Sequence, residues 1–186
     1  MVEEAGQKRF DEVAMPHLDA AYNLARWLTR NDADARDVVQ EAYLRAFRFF
    51  GGYRGGDARA WVLQIVRRTC FTWMAANRAI ETVASEAEIG DDAGMVETAL
   101  LRDGRQPDPE TLLLQRLDTQ LLDRLIEGLP PLYREIIVLR EIEELSYREI
   151  AEILELPIGT VMSRLARARR RLHQAWRASP DARLEG

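Results

Sequence analysis

Apolar residues return at helical spacing through most of this 186-residue chain, and the polar punctuation between them marks where each helix stops. From Gln7 to Leu28 the repeat runs through Phe10, Val13, Ala14, Leu18, Ala21, Tyr22, Ala25 and Leu28, which predicts one long helix. Asn31-Asp32 interrupts it, and Asp32 or Asp34 is placed to cap the next helix. That second helix is predicted over 35–49, burying Val38, Val39, Ala42, Tyr43, Ala46 and Phe47 and showing Asp37, Gln40, Glu41 and Arg45 on its other face. Gly51-Gly52-Tyr53-Arg54-Gly55-Gly56-Asp57 is a loop, in which glycines allow close backbone approach to a ligand. Asp57 can cap a third helix over 58–76, with Trp61, Val62, Ile65, Val66 and Thr69 toward its core side.

The pattern then fades. Between Ile80 and Glu110, nine acids face only Arg102 and Arg105 among glycines and prolines, which reads as a mobile acidic linker. A helix returns over 111–127, stops at Gly128 and Pro130-Pro131, and is succeeded by another over 133–142.

Ser146 to Leu172 carries the sharpest local signals. Ser146 and Glu149 have the spacing of a capping box, and Leu145 with Ile150 that of a hydrophobic staple. The helix they open is ended by Glu155-Leu156-Pro157, because proline is tolerated only in a first helical turn; a second helix therefore begins between Pro157 and Thr160. At about 100° per residue, Val161, Leu165, Ala168 and Leu172 share one narrow face. Ser163, Ala166, Arg167 and Arg170 fall opposite, flanked by Arg164 and Arg171 on one side and Met162 and Arg169 on the other. No acid occurs from Gly159 to Arg177. A short helix, a tight turn and a helix with an apolar back and a basic front make a helix-turn-helix, whose second helix enters the major groove. Many such turns use glycine where this one has Glu155, so strain is expected there.

Composition adds a constraint. The chain is 47% hydrophobic and 31% charged, with net charge -5, so the positive charge must be segregated for any contact with nucleic acid. Lys8 is the only lysine; arginine suits bidentate contact with phosphate and guanine. Arginines also interleave with the aromatics of the first half, among them Phe47, Phe49, Phe50, Tyr53 and Trp61, a mixture that serves unstacked nucleic acid. The single cysteine, Cys70, allows no intramolecular disulfide and fits a reducing cytosol. No signal peptide or bilayer-length apolar run is read, so a cytoplasmic protein without membrane insertion is expected. An enzyme is disfavoured: His17 and His173 are far apart and Cys70 has no metal-ligand spacing, so no catalytic residue, metal or cofactor is expected.

Two motifs resemble the extracytoplasmic-function sigma factors of bacterial RNA polymerase. Asp37-Val38-Val39-Gln40-Glu41-Ala42 resembles the DxxQE stretch of sigma region 2, and Leu129-Pro130 followed by LREIEELSYREIAEILELPIGTVMSRLARARRRL resembles region 4. The resemblance implies an all-α fold: a region 2-like domain over 1–78, a flexible acidic linker over 79–110, a region 4-like helix-turn-helix domain over 111–178 and a tail over 179–186. It implies that Asp37, Gln40 and Glu41 meet the clamp helices of the largest polymerase subunit. Tyr53, Arg54, Asp57, Arg67 and Arg68 would meet the promoter's -10 element, the glycine loop capturing a flipped base. Thr160, Met162, Ser163, Arg164, Ala166, Arg167 and Arg170 would meet the -35 element. Arg68 departs from the asparagine of many relatives, and Met162 from the basic residue of some. Core RNA polymerase, promoter DNA and an anti-sigma factor are the implied partners, with the chain monomeric on polymerase and its linker near the RNA exit path. The competing reading is a stand-alone dimeric regulator bound to a palindrome, which leaves Asp37 to Ala42 unexplained.

Overall fold

The computed structural model describes residues 2–78 and 119–179, and every described element is helical. Four helices precede the acidic segment: α1 (Val2–Ala14), α2 (Leu18–Thr29), α3 (Asp32–Phe49) and α4 (Ala58–Arg78). Four lie beyond it: α5 (Thr119–Glu127), α6 (Pro131–Ile137), α7 (Tyr147–Leu154) and α8 (Ile158–Ala178). The acidic linker 79–110, the predicted helical residues 111–118 and the end of the tail from 180 lie outside the described residues.

The first predicted helix is two. Met15–His17 forms a 3₁₀ turn between α1 and α2. Pro16 lacks the N–H that an unbroken helix requires and its ring crowds the preceding turn, so the apolar repeat continues across the break while the backbone does not. Beyond it α2 buries Ala20, Ala21, Leu24, Ala25 and Leu28. It ends at Arg30, which is left-handed (φ 62°) and returns its N–H to the Arg26 carbonyl at 2.9 Å.

The cap of α3 is Asn31 rather than Asp32 or Asp34. Its Oδ1 accepts from the N–H of Ala33 at 2.8 Å and of Asp34 at 3.1 Å, leaving both aspartates inside the first turn, where their charge suits the helix dipole. Asp57 caps α4 as its position predicts, accepting from the N–H groups of Arg59 (2.9 Å) and Ala60 (3.1 Å).

Several aromatics sit less deeply than the pattern predicts, Tyr22 and Tyr43 among them as half-buried residues. Phe47 meets Phe10 edge-to-face at 5.3 Å yet is 40% exposed, because α1 covers only part of that face of α3. Trp61 is half-buried: Val62, Leu63, Val66 and Cys70 fill the α4 core, and the indole leans toward the glycine loop.

In the second group α6 runs on through a single π turn (Val138–Ile142). Ile136, Ile137, Val138 and Leu139 are all fully buried, and so is Glu135 between them and Arg134, itself 4% exposed. A segment buried on every side needs cover from more than its own small unit. Here α2 packs against α6 and α4 against α7, so the two helical groups lie face to face.

Candidate nucleic-acid interface

The helix-turn-helix is built as its sequence dictates. Ser146 Oγ accepts from the Glu149 N–H at 3.3 Å while the Glu149 carboxylate accepts from the Ser146 N–H at 2.7 Å, closing the capping box that opens α7. Leu145 and Ile150 are both fully buried beneath it. Glu155 ends α7 in the left-handed region, φ 56°, as the turn requires. Pro157 then precedes α8, its carbonyl accepting from the N–H groups of Thr160 (2.9 Å) and Val161 (3.1 Å).

Helix α8 buries Val161, Leu165, Ala168 and Leu172 and no other residue. Its front presents Met162, Ala166 and Arg170 to solvent, with Thr160, Ser163 and Arg167 half-buried beside them. Ser163 Oγ donates to the Thr160 carbonyl at 3.1 Å, which leaves the hydroxyl oxygen able to accept. The flanking arginines are held against the unit's own surface. Arg169 donates to Glu141 at 2.6 Å, Arg171 lies over the Tyr133 ring at 4.9 Å, and Arg164 stands 3.7 Å from the buried Glu135.

The glycine loop forms a second locus. Gly55 (φ 91°) and Gly56 (φ 104°) adopt backbone that side-chain-bearing residues rarely take, and Tyr53 Oη donates to the Gly56 carbonyl at 2.9 Å. Tyr53 stacks on Phe50 at 5.8 Å and approaches Trp61 at 4.9 Å. A cavity of about 220 Å³ opens among residues 52–57, Trp61 and Gln64, with Glu152 of α7 in its wall. An aromatic wall, backbone polar groups and an open mouth are what a base taken out of its stack requires. Arg54 and Asp57 lie exposed on this loop, the Asp57 carboxylate already committed to its cap.

Arg67 and Arg68, further along α4, are both paired with carboxylates of the second group, Arg67 half-buried and Arg68 exposed. Arg67 forks onto Glu135, its Nε donating at 2.7 Å and a terminal nitrogen at 3.1 Å, and it lies 4.9 Å over the Phe71 ring. Arg68 donates to Glu155 at 2.6 Å. Arg59, upstream on the same helix, donates to both the carboxylate (2.6 Å) and the carbonyl (3.1 Å) of Glu143, which also accepts from Asn23 of α2 at 3.1 Å. Burial pushes the Glu135 carboxyl upward, against the downward pull of Arg67 and Arg164.

None of these cross-group contacts has a signal in the sequence: Glu135 and Glu143 read as ordinary acids at helix ends. Arg134 escapes notice for the same reason. It donates to the carbonyls of Ile126, Glu127 and Leu129 in its own group and to those of Trp27 and Leu28 at the end of α2. Burial lowers its pKa to about 10, which leaves it charged at neutral pH.

Asp37 and Gln40 are exposed on α3, and Glu41 is half-buried in an ion pair with Arg45 at 2.7 Å. Leu44 (48% exposed) and Phe47 continue that stripe at helical spacing, an apolar extension that the sequence pattern does not announce. The three predicted loci are not all separate in space. The -10 and -35 sets meet at Glu135, which Arg67 and Arg164 share.

Comparison with known proteins gives these surfaces a family. Residues 13–82 match the model for sigma-70 region 2 and residues 119–172 that for sigma-70 region 4. The chain is 33% identical over 174 residues to the ECF RNA polymerase sigma-E factor of Escherichia coli (strain K12), covering 90% of this chain and 86% of that one. It is 31% identical over 170 residues to the ECF RNA polymerase sigma factor SigE of Mycolicibacterium smegmatis, covering 91% of this chain and 62% of that longer protein. The fold is shared with the sigma factor RpoE solved with the anti-sigma factor NepR from Bartonella quintana. That match has a TM-score of 0.65 and 24% identity, over 92% of this chain and 99% of that one. CnrH, solved with the cytosolic domain of CnrY, matches with a TM-score of 0.56 and 23% identity, over 93% of this chain and 90% of that one. Both sigma regions, in this order on an all-helical frame, establish that the chain belongs to the sigma-70 family as an ECF sigma factor.

Proposed function

We propose that this sigma factor docks on core RNA polymerase through Asp37, Gln40 and Glu41 of α3, with the clamp helices of the largest subunit as the partner surface. Its α8 front (Thr160, Met162, Ser163, Arg164, Ala166, Arg167 and Arg170) reads the -35 element. The glycine-loop cavity with Tyr53, Arg54 and Asp57 captures a -10 base, and Arg67 and Arg68 hold the adjacent DNA. The carrying observation is α8 itself: an apolar back fully buried and an acid-free front left outward. With a net charge of -5, affinity for free DNA is low, so polymerase orients both groups on one promoter.

The reading is promoter recognition rather than catalysis, in the cytoplasm, as a single copy on polymerase. Its domains keep the sequence-based bounds, 1–78 and 111–178, with the acidic linker 79–110 threading near the RNA exit path. An anti-sigma factor is the further proposed partner, in keeping with the complex in which the Bartonella quintana sigma factor was solved. No helix among the described residues is long and apolar enough to cross a membrane.

The test is Arg167→Ala in reconstituted holoenzyme. Promoter binding at the -35 element weakens while core binding is kept; loss of core binding instead removes the assignment of α8 to DNA.

A further inference from the structure

Helix α8 carries two sets of apolar residues. Val161, Leu165, Ala168 and Leu172 are buried, whereas Ile158 and Met162 are 43% and 38% exposed and Ala166 is exposed with them. These last three recur every fourth residue, so they lie along one ridge of the helix surface. Arg170 continues the ridge, the row of Ser163 and Arg167 runs beside it, and no acid occurs from Gly159 to Arg177. A single exposed apolar side chain is ordinary. Three in one row, on the front that the proposed function gives to DNA, are not, and Ile158 is absent from the residues that the motif pattern marks.

We propose that this ridge reads thymine methyl groups, which makes Ile158, Met162 and Ala166 determinants of the -35 sequence that this sigma factor selects. The proposal rests on the assignment of α8 to DNA and names what part of that helix recognises.

In the major groove the base pairs present donors, acceptors and one apolar group, the C5 methyl of thymine. An isoleucine or methionine side chain gains nothing from a phosphate, and where it covers a polar base edge it leaves that group without a hydrogen bond. Against a methyl it removes apolar surface from water on both sides. The ridge occupies the N-terminal half of the recognition helix, the end that meets base edges in helix-turn-helix proteins. From Ile158 to Ala166 it rises about 12 Å, which is about three to four base-pair steps of about 3.4 Å. The neighbouring row supplies the polar reading: Ser163 Oγ donates to the Thr160 carbonyl and is left able to accept, and Arg167 adds a guanidinium. Arginine at the end of the ridge and beside it suits an occupant that is a polyanion outside and apolar only at particular base edges.

The experiment measures the affinity of reconstituted holoenzyme for a promoter from which it initiates. Each -35 thymine, on either strand, is replaced in turn by deoxyuridine, which pairs in the same way but lacks the methyl. Expected is a loss of about three- to fourfold at two or more positions within one run of about four base pairs. Met162→Ala abolishes the difference between thymine and deoxyuridine at one of these positions and Ile158→Ala at another, with core binding unchanged. The scan with the wild-type protein needs no variant, so misfolding of a variant does not decide it. A flat scan overturns the proposal, as do variants that weaken both promoters equally and keep the difference. Weakened core binding in the two variants also overturns it, since the ridge then covers a protein surface. Arg167→Ala separates this proposal from the one beneath it: -35 affinity lost in that variant beside a flat scan leaves α8 on DNA without the ridge, and no loss in either removes α8 from DNA altogether.

Discussion

Glu155 has two tasks in one residue: its backbone makes the left-handed turn of the helix-turn-helix, and its carboxylate accepts from Arg68 of α4 at 2.6 Å. The first costs about 1 kcal/mol in a residue with a Cβ. The second returns less than about 1 kcal/mol, because both side chains are more than half exposed. Glu155→Gly is therefore at least as stable as the wild type in urea denaturation, whereas Glu155→Val loses more than about 1 kcal/mol.

Ser146→Ala removes one side of the capping box and costs about 1 kcal/mol. The Ser146 hydroxyl and N–H hold the Glu149 carboxyl below its ordinary 4.5. A lowered carboxyl contributes stability above the unfolded value and loses it as pH falls through the folded one. Glu149→Ala is thus destabilising at neutral pH, and its deficit shrinks on acidification, which thermal melts across that range measure.

At the alkaline end the sign reverses. Burial pushes the Cys70 thiol from 9.0 up to about 12, and the Tyr43 hydroxyl, which donates to the Ala14 carbonyl at 3.0 Å, from 10.0 up to about 12. The unfolded chain releases these protons first, so stability is intact below pH 9.0 and declines from there toward about 12. Denaturation midpoints over that range fall less steeply in Cys70→Ala. At neutral pH a thiol reagent modifies Cys70 only as fast as the protein opens.

Arg134 satisfies five carbonyls at the ends of α2 and α5. Arg134→Met fills similar space but leaves them unpaired, at a cost of about 2–4 kcal/mol. Arg134→Lys recovers only part of this, since an ammonium on a flexible stem cannot reproduce the planar fork. Urea denaturation of both variants gives the ordering.

The features legible in the sequence are local. The capping box at Ser146, the stop before Pro157 and the buried stripe of α8 each depend on residues within a turn or two of one another, and all stand where the pattern places them. Pro16 is equally local, yet the apolar repeat on either side of it outweighs it, because periodicity records which face is buried and not whether the backbone is continuous. Asn31 is hidden by its aspartate neighbours, since all three are good caps and only the chain path decides among them. The pairings of Arg67 with Glu135 and of Arg59 with Glu143 span 68 and 84 residues and have no periodic signature. The arginines of α4 are recognisable from the pattern as basic groups, but their partners appear only when the two groups are laid together.

The central claim is tested most directly by run-off transcription with purified core RNA polymerase on genomic DNA fragments, with and without this protein. Discrete new transcripts that depend on its addition, and that vanish with Asp37→Ala/Gln40→Ala/Glu41→Ala, are the predicted result. No new transcript, together with no co-elution of the protein with core polymerase, would contradict the account.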